Sequence, residues 1–116
     1  MIQIVRIEHT NGLGPYINSA YDNMVNNNWY EKHNQHFPAP QTDPIINRRP
    51  NVDEHCAFKT IDQLQSLFEP EELKELITLE YNISLINVKD CIMGQTQVLY
   101  KKEDIISTEI INSLFI

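Results

Sequence analysis

The sequence predicts a small α+β domain, and three observations carry that prediction. Apolar runs typical of β-strands lie near both ends of the chain, apolar residues at helical spacing lie between them, and 41% of the 116 residues are hydrophobic. A chain of this length and composition can bury one two-layer core. Because no internal repeat or low-complexity segment divides it, we expect residues 1–116 to form a single domain with two to four helices.

The first half is predicted to contain one strand, one helix and one long loop. Residues 1–8 form a largely apolar run before the turn-forming residues 10–15, which indicates a strand. Apolar side chains then recur at 3.6-residue spacing over residues 16–25, so we expect a helix that ends in the asparagines at 26–28. Four prolines interrupt residues 29–54, which predicts a long loop that packs through its rings and isoleucines.

Two helices are predicted in the middle of the chain, after a short extended segment at residues 55–58. Thr60 and Gln63 have the spacing of a capping box, which marks the start of a helix. Pro70 suits the first turn of a second helix, and Glu71 suits the positive end of that helix dipole.

The last third of the chain is predicted to return to strands. Residues 83–88 and 98–100 are apolar runs with a turn at Gly94 between them, so we expect two strands that pair as an antiparallel hairpin. Residues 103–116 fit two structures, because the spacing of Ile106, Ile110 and Leu114 is helical whereas the density of isoleucine favours a short strand.

The charge of the chain argues against direct binding to nucleic acid. Its 9 basic and 16 acidic side chains give a net charge of −7 and a pI of about 4.9, whereas nucleic-acid affinity depends on clustered Lys and Arg. A partner with a basic surface suits the chain better. The four glutamates at positions 69, 71, 72 and 75 are either a solvated helix face or part of a surface that docks on such a partner.

The cysteine content indicates a reducing compartment. Cys56 and Cys91 are too few and too far apart to form a disulfide framework, and no leader precedes the first strand. No apolar run approaches the ~20 residues that cross a bilayer. We therefore expect a cytoplasmic protein with no membrane partner.

Four segments of the sequence resemble a family of small bacteriophage proteins that is similar to the ADP-ribosyltransferase fold. The segments are VRIEH at residues 5–9, GLGPY at 12–16, HCAFKTIDQL at 55–64 and GQTQV at 94–98. They span most of the chain and occur in the same order as in that family. The resemblance implies an ADP-ribosyltransferase-like α+β fold with a split, mainly antiparallel sheet, encoded by a phage and located in the host cytoplasm.

The resemblance also implies a cleft between two small sheets that binds the nicotinamide end of NAD. The catalytic positions that it implies are Arg6 on the first strand and Gln97 on a late strand. The positions that it implies for binding NAD are Arg6, Gly14, Tyr16, Phe58 and Thr60. Transferases of this fold carry a glutamate where this chain has Gln97, and an amide supplies no negative charge to a cation-like transition state. Asp90, Glu103 and Asp104 are candidates to supply the missing carboxylate.

Each of these residues also has an ordinary structural explanation. Arg6 can pair with Glu8 on the same strand, and residues 12–16 can be a plain strand-to-helix turn. Tyr16 and Tyr21 can either stack on a nicotinamide or adenine ring or pack in a helix core. Capping of the helix explains Thr60 on its own.

Three further groups of residues are candidate sites. His33 and His36 are three residues apart, as zinc ligands can be, but no further ligand completes the set, so we expect no metal. Cys56 is either a nucleophile activated by His9 or His55 or a small buried thiol that only packs. The adjacent Arg48 and Arg49 can bind an anion or anchor their loop through the acidic residues at positions 53 and 54.

The function expected from the whole sequence is that of a phage accessory protein acting on a host or host-defence protein. It would act either as an NAD-dependent ADP-ribosyltransferase or by direct binding through its acidic surface, for example as an anti-CRISPR inhibitor of a CRISPR effector or another nuclease. The alternative is a non-enzymatic virion, assembly or small-ligand-binding module.

Overall fold

The computed structural model describes residues 1–25, 29–37 and 39–116 and contains two three-stranded antiparallel sheets. The described strands are β1 (Ile2–His9), β2 (Glu54–Ala57), β3 (Tyr81–Val88), β4 (Ile92–Met93), β5 (Val98–Lys101) and β6 (Ile105–Ile110). The described α-helices are α1 (Trp29–His36), α2 (Ile61–Leu67) and α3 (Pro70–Thr78). The expected small α+β class with two to four helices is confirmed.

The larger sheet has the order β1-β3-β6, and the smaller one has the order β2-β5-β4. The two sheets meet at the middle of β1, where Val5 pairs with Phe58 just beyond the end of β2. The Val5 N–H donates to the Phe58 carbonyl at 2.9 Å, and the Phe58 N–H donates to the Val5 carbonyl at 2.7 Å. One strand therefore joins both sheets.

Alternate residues of β1 serve two separate cores, because successive side chains of a strand point to opposite faces. Val5 and Ile7 belong to the larger core, which α2, α3 and a group of aromatic rings cover. Ile4 belongs to a smaller core between the two sheets, together with Ala57 and Val98. Arg6 follows Ile4 on the same face of β1, so its side chain lies near the junction of the sheets.

The helix starts predicted at residues 60 and 70 are confirmed. The Thr60 hydroxyl accepts a 3.0 Å hydrogen bond from the Gln63 N–H, which caps α2. At α3, Glu72 accepts from the Glu69 N–H at 2.7 Å, and Pro70 occupies the first turn. Both starts depend on groups within a few residues of each other, which is why the sequence reveals them.

The helix predicted over residues 16–25 is wrong. This segment forms turns at residues 15–19 and a 3-10 helix at Ala20–Asn23, and Ser19 has a left-handed backbone with φ of 51°. The predicted end at residues 26–28 lies outside the described part of the chain. The prediction of one unbroken loop over residues 29–54 is also wrong, because α1 lies within it.

The predicted hairpin of the third and fifth strands is wrong as well. β3 pairs with β1 and β6 in the larger sheet, whereas β5 pairs with β2 and β4 in the smaller one. The tail adopts the strand alternative as β6, followed by a 3-10 helix at Asn112–Leu114. Over the residues that the structure describes, we find no helix with the length and apolar character that crossing a bilayer requires.

Candidate functional site

A cavity of about 660 Å³ opens beside the junction of the two sheets. Its walls come from β1, the turn at residues 13–17, α1, β2 and the loop that includes residues 39–41 and 49–51. A volume of several hundred Å³ is typical of sites for small molecules. The residues of the implied site that line this cavity are Arg6, Gly14, Tyr16, Phe58 and Gln97.

Arg6 is the buried cation of this cavity, with 8% of its surface exposed. Its Nη1 donates to the Cys56 carbonyl at 2.6 Å, and its Nη2 lies 3.7 Å from Oε1 of Glu8. Its Nε is buried and has no hydrogen-bond partner among the described residues. Arg6 therefore pairs with Glu8, as the sequence allowed, and also lines the cavity. One N–H donor of its guanidinium, on Nε, has no acceptor among the described residues.

Gly14 is in close contact with this guanidinium. A Cβ atom added to Gly14 would lie 3.4 Å from Nη1 of Arg6 and 3.7 Å from its Cζ. The turn after β1 thus lies beside the cation, with room for about one methyl group between them.

Tyr16 is fixed to the wall of the cavity by a buried histidine. Its hydroxyl donates to Nδ1 of His33 at 2.7 Å, because Nε2 of His33 donates to the Leu67 carbonyl, also at 2.7 Å. Burial lowers the pKa of His33 to about 4 and raises the pKa of Tyr16 well above its usual value. Both groups are neutral near pH 7, so this pair positions the wall and carries no charge.

Aromatic rings continue the wall from Tyr16 to the sheet junction. The rings of Tyr16 and Phe37 stack with centroids 5.9 Å apart, and the rings of Phe37 and Phe58 stack at 4.8 Å. A wall of this kind offers apolar contact and ring faces to a planar ligand. Thr60, by contrast, does not line the cavity, and its hydroxyl is used in capping α2.

Gln97 is buried on the cavity wall, directly before β5. Its carbonyl accepts from the Gly94 N–H at 2.8 Å, and this closes the turn between β4 and β5. The carboxylate of Asp43 accepts from the backbone N–H groups of Gln95 and Thr96 at 3.1 and 3.0 Å. A buried carboxylate therefore holds the turn that places Gln97.

The charge of Asp43 is stabilised by the backbone. Burial by itself raises the pKa of this carboxyl, but N–H groups of Thr96, Gln95, Ile45 and Ile46 outweigh that effect and hold it well below its usual value. Since Asp43 has 0% exposure, these donors replace its water shell. Asp43 is thus an ionised structural link between the loop around residue 43 and the β4–β5 turn.

None of the three acidic residues considered as substitutes for a carboxylate at Gln97 lines this cavity within the described chain. Asp90 and Asp104 line a separate cavity of about 270 Å³. Glu54 is the one carboxylate among the described lining residues of the larger cavity. It accepts from Arg48 at 2.7 and 2.9 Å, and this contact lowers the pKa of Glu54 to about 2.

The fold separates the residues of the candidate cysteine site. His55 and Cys56 line the larger cavity, but His9 lies beside Tyr81 and Glu80. Burial raises the pKa of the Cys56 thiol, which opposes the formation of a thiolate nucleophile.

One histidine of the pair considered for zinc has a structural role. Both ring nitrogens of His33 are engaged in hydrogen bonds, and the side chain of His36 lies outside the described residues. Across the described chain, no group of three or more His, Cys, Asp and Glu side chains is placed to hold a metal.

The acidic cluster at the start of α3 is partly structural. Glu72 is buried in the capping box, and the Val25 N–H donates to both carboxylate oxygens of Glu75 at 3.1 and 3.2 Å. Glu69 and Glu71 remain exposed, although Glu69 is the N-cap residue of this capping box. Three of the four glutamates thus serve the fold itself.

Fold and cavity together define a small two-sheet α+β protein with one buried arginine on a cavity wall. A family model described as Bacteriophage T4 Y00F protein matches residues 1–113, so the chain belongs to that family. This confirms the phage part of the resemblance, whereas the similarity to ADP-ribosyltransferases stays a prediction. No curated protein and no solved structure matched the chain.

Proposed function

We propose that this phage protein binds NAD in the cavity at the sheet junction and acts as an accessory protein on a host protein. The observation that carries the proposal is the buried guanidinium of Arg6 on a cavity wall formed largely of aromatic and apolar side chains. A guanidinium stays charged at any working pH and binds phosphate or ribose oxygens through paired donors.

The remaining wall suits the other parts of such a ligand. The rings of Tyr16, Phe37 and Phe58 offer contact to a nicotinamide ring, and Gly14 leaves room for a close approach beside Arg6. Gln97, which is distant from Arg6 in the sequence, is a further polar residue of the implied site and lies on the same cavity wall. Because it offers no negative charge, we expect the cavity to hold NAD more effectively than it promotes transfer of ADP-ribose.

A binding titration and a labelling reaction test this proposal. We expect calorimetry to show saturable binding of NAD with one site per chain, and no such binding of nicotinamide riboside, which lacks phosphate. Labelled NAD incubated with the protein and host lysate then reports on transfer, with Gln97→Glu as the variant expected to increase it. Absence of NAD binding to the folded protein, together with absence of label on any host protein, would contradict the proposal.

A second candidate function is direct inhibition of a host protein with a basic surface, such as a CRISPR effector or another nuclease. Seven acidic residues between positions 59 and 116 are exposed, and none of them lines the cavity: Asp62, Glu69, Glu71, Glu80, Asp90, Glu103 and Glu109. Such a surface speeds encounter with a basic partner and leaves the cavity free.

Charge reversal distinguishes this candidate from the first. We expect a Glu71→Lys, Glu109→Lys double variant, at two exposed positions, to lose a host partner that the parent protein recovers from lysate in stoichiometric amount, while its affinity for NAD is retained. Recovery of the same partner by both proteins would argue against docking through this surface.

A further inference from the structure

The adjacent arginines at positions 48 and 49 have different environments. Arg48 makes a two-point contact with Glu54, at 2.7 and 2.9 Å, and its Nη1 also lies 3.1 Å from the carbonyl of Arg49. Arg49 is exposed, lines the same cavity as Arg6, and forms no ion pair with any residue that the structure describes. The first arginine therefore anchors the loop, and the second is left uncompensated at the cavity.

We propose that Arg49 is a second anion-binding residue of this cavity and that the ligand carries a diphosphate. The inference rests on the proposed function and adds a second residue that would hold the diphosphate of NAD. Arg6 is buried, Arg49 is exposed, and both line the same cavity. Because a guanidinium binds phosphate oxygens through several N–H donors, two arginines on one cavity suit a ligand with consecutive phosphates.

The charge of the surroundings supports this assignment. The whole chain carries a net charge of −7, yet the charged lining residues among those described, His apart, are Arg6, Arg49 and Glu54. Glu54 is paired with Arg48, and Arg6 lies 3.7 Å from Glu8, so Arg49 is the charged lining residue without an ion-pair partner among the described residues. An unpaired cation in a concave site attracts ligands of the opposite charge.

Apolar residues at the opening indicate that the ligand extends beyond its phosphates. Leu13 and Ile17 line the cavity with 42% and 75% of their surface exposed. Exposed apolar side chains beside a cation offer contact to a base or sugar ring that inorganic diphosphate lacks. A nucleoside diphosphate derivative satisfies both features.

Calorimetry on the full chain tests the role of Arg49 with three ligands: NAD, nicotinamide mononucleotide and inorganic diphosphate. We expect Arg49→Gln to lower the affinity for NAD about ten-fold and the affinity for the mononucleotide less than two-fold, because Arg6 holds the single phosphate of the mononucleotide. The affinity of the parent protein for NAD should fall more steeply with salt than that of the variant. Inorganic diphosphate should bind more weakly than NAD.

Lys89→Gln removes the same charge at an exposed position outside the cavity and is the matched control, expected to bind NAD like the parent protein. Equal NAD affinity in the parent protein and Arg49→Gln would overturn the inference while the proposed function stands. An equal loss of affinity for NAD and for the mononucleotide in Arg49→Gln would overturn the assignment of a diphosphate. A folded parent protein that binds none of the three ligands would overturn both the inference and the proposed function.

Discussion

The hydroxyl of Tyr16 donates a 2.7 Å hydrogen bond to Nδ1 of buried His33. The other ring nitrogen of His33 donates to the Leu67 carbonyl at the end of α2, so the bond connects the cavity wall to two helices. Since protonation of His33 would remove the acceptor that Tyr16 uses, the shape of the cavity is coupled to a titratable group.

This coupling predicts that stability falls in mildly acidic solution. Burial lowers the pKa of His33 from 6.5 to about 4, so the unfolded chain takes up this proton first. The stabilising contribution is complete above pH 6.5 and is lost as the pH falls toward 4. Urea unfolding should show a loss of about 2 kcal/mol between pH 7.5 and pH 5 from this group.

His33→Gln separates this effect from the other titrating groups. The variant should be less stable at pH 7.5, because Tyr16 and the Leu67 carbonyl lose well-placed partners, and its stability should fall less than that of the parent protein between pH 7.5 and 5. Burial also lowers the pKa of His55, which accounts for the fall that remains in this window. Glu54 contributes in a lower window, since its depressed pKa makes stability fall as the pH drops from 4.5 toward about 2. An unchanged pH dependence in His33→Gln would contradict the assignment.

Asp43→Asn is predicted to destabilise the protein strongly. The carboxylate accepts from backbone N–H groups of residues 45, 46, 95 and 96 and from the Thr96 hydroxyl, and an amide presents two donors of its own to these donors. We expect a loss of about 2–4 kcal/mol in the free energy of unfolding. Asp22→Asn, at an exposed position, should change it by less than about 0.5 kcal/mol.

The same substitution is predicted to destabilise the protein much more at one glycine than at another. At Gly94 an added Cβ would lie 2.7 Å from Asp43 Oδ2, Gln97 O and Ile46 Cδ1, so Gly94→Ala should cost about 2–4 kcal/mol. At Gly14 the nearest atom is 3.4 Å away, so Gly14→Ala should cost less than about 1 kcal/mol. Comparable melting temperatures for the two variants would contradict the packing described for the β4–β5 turn.

The parts of the fold that the sequence predicts correctly depend on local groups. β1 is a compact apolar run, and the starts of α2 and α3 are set by Thr60 and Pro70 with residues three positions or fewer away. The hairpin prediction was wrong because the pairing of a strand depends on segments that are distant in the sequence. β3 is followed by β4 and β5, yet its partners are β1 and β6.

The two helix errors have different causes, because apolar spacing predicted a helix that does not form at residues 16–25 and polar residues and prolines concealed α1. Tyr16, Ala20 and Met24 do pack in the larger core, but from turns and a 3-10 helix. Trp29, His33 and Phe37 are four residues apart, and this spacing is a helix stripe that the surrounding polar residues hide.

The candidate site was accessible from sequence only through the resemblance. It supplied the positions of Arg6, Gly14, Tyr16, Phe58 and Gln97, which the fold brings to one cavity from three separate regions of the chain. It did not supply the contact of Tyr16 with His33 or the cavity position of Arg49. The first depends on how α1 packs beside the turn at residues 13–17 and the second on the course of the loop at residues 49–51, and no motif in the sequence encodes either.

The central claim is that Arg6 holds an NAD phosphate in the cavity, and calorimetric titration of NAD into the parent protein and into Arg6→Lys tests it most directly. Lysine keeps the charge but lacks the planar fork, so we expect saturable binding by the parent protein and an affinity at least ten-fold lower for the variant. A matched thermal unfolding curve verifies that the variant is folded. Equal affinities in the two folded proteins, or no binding of NAD by the parent protein, would contradict the account.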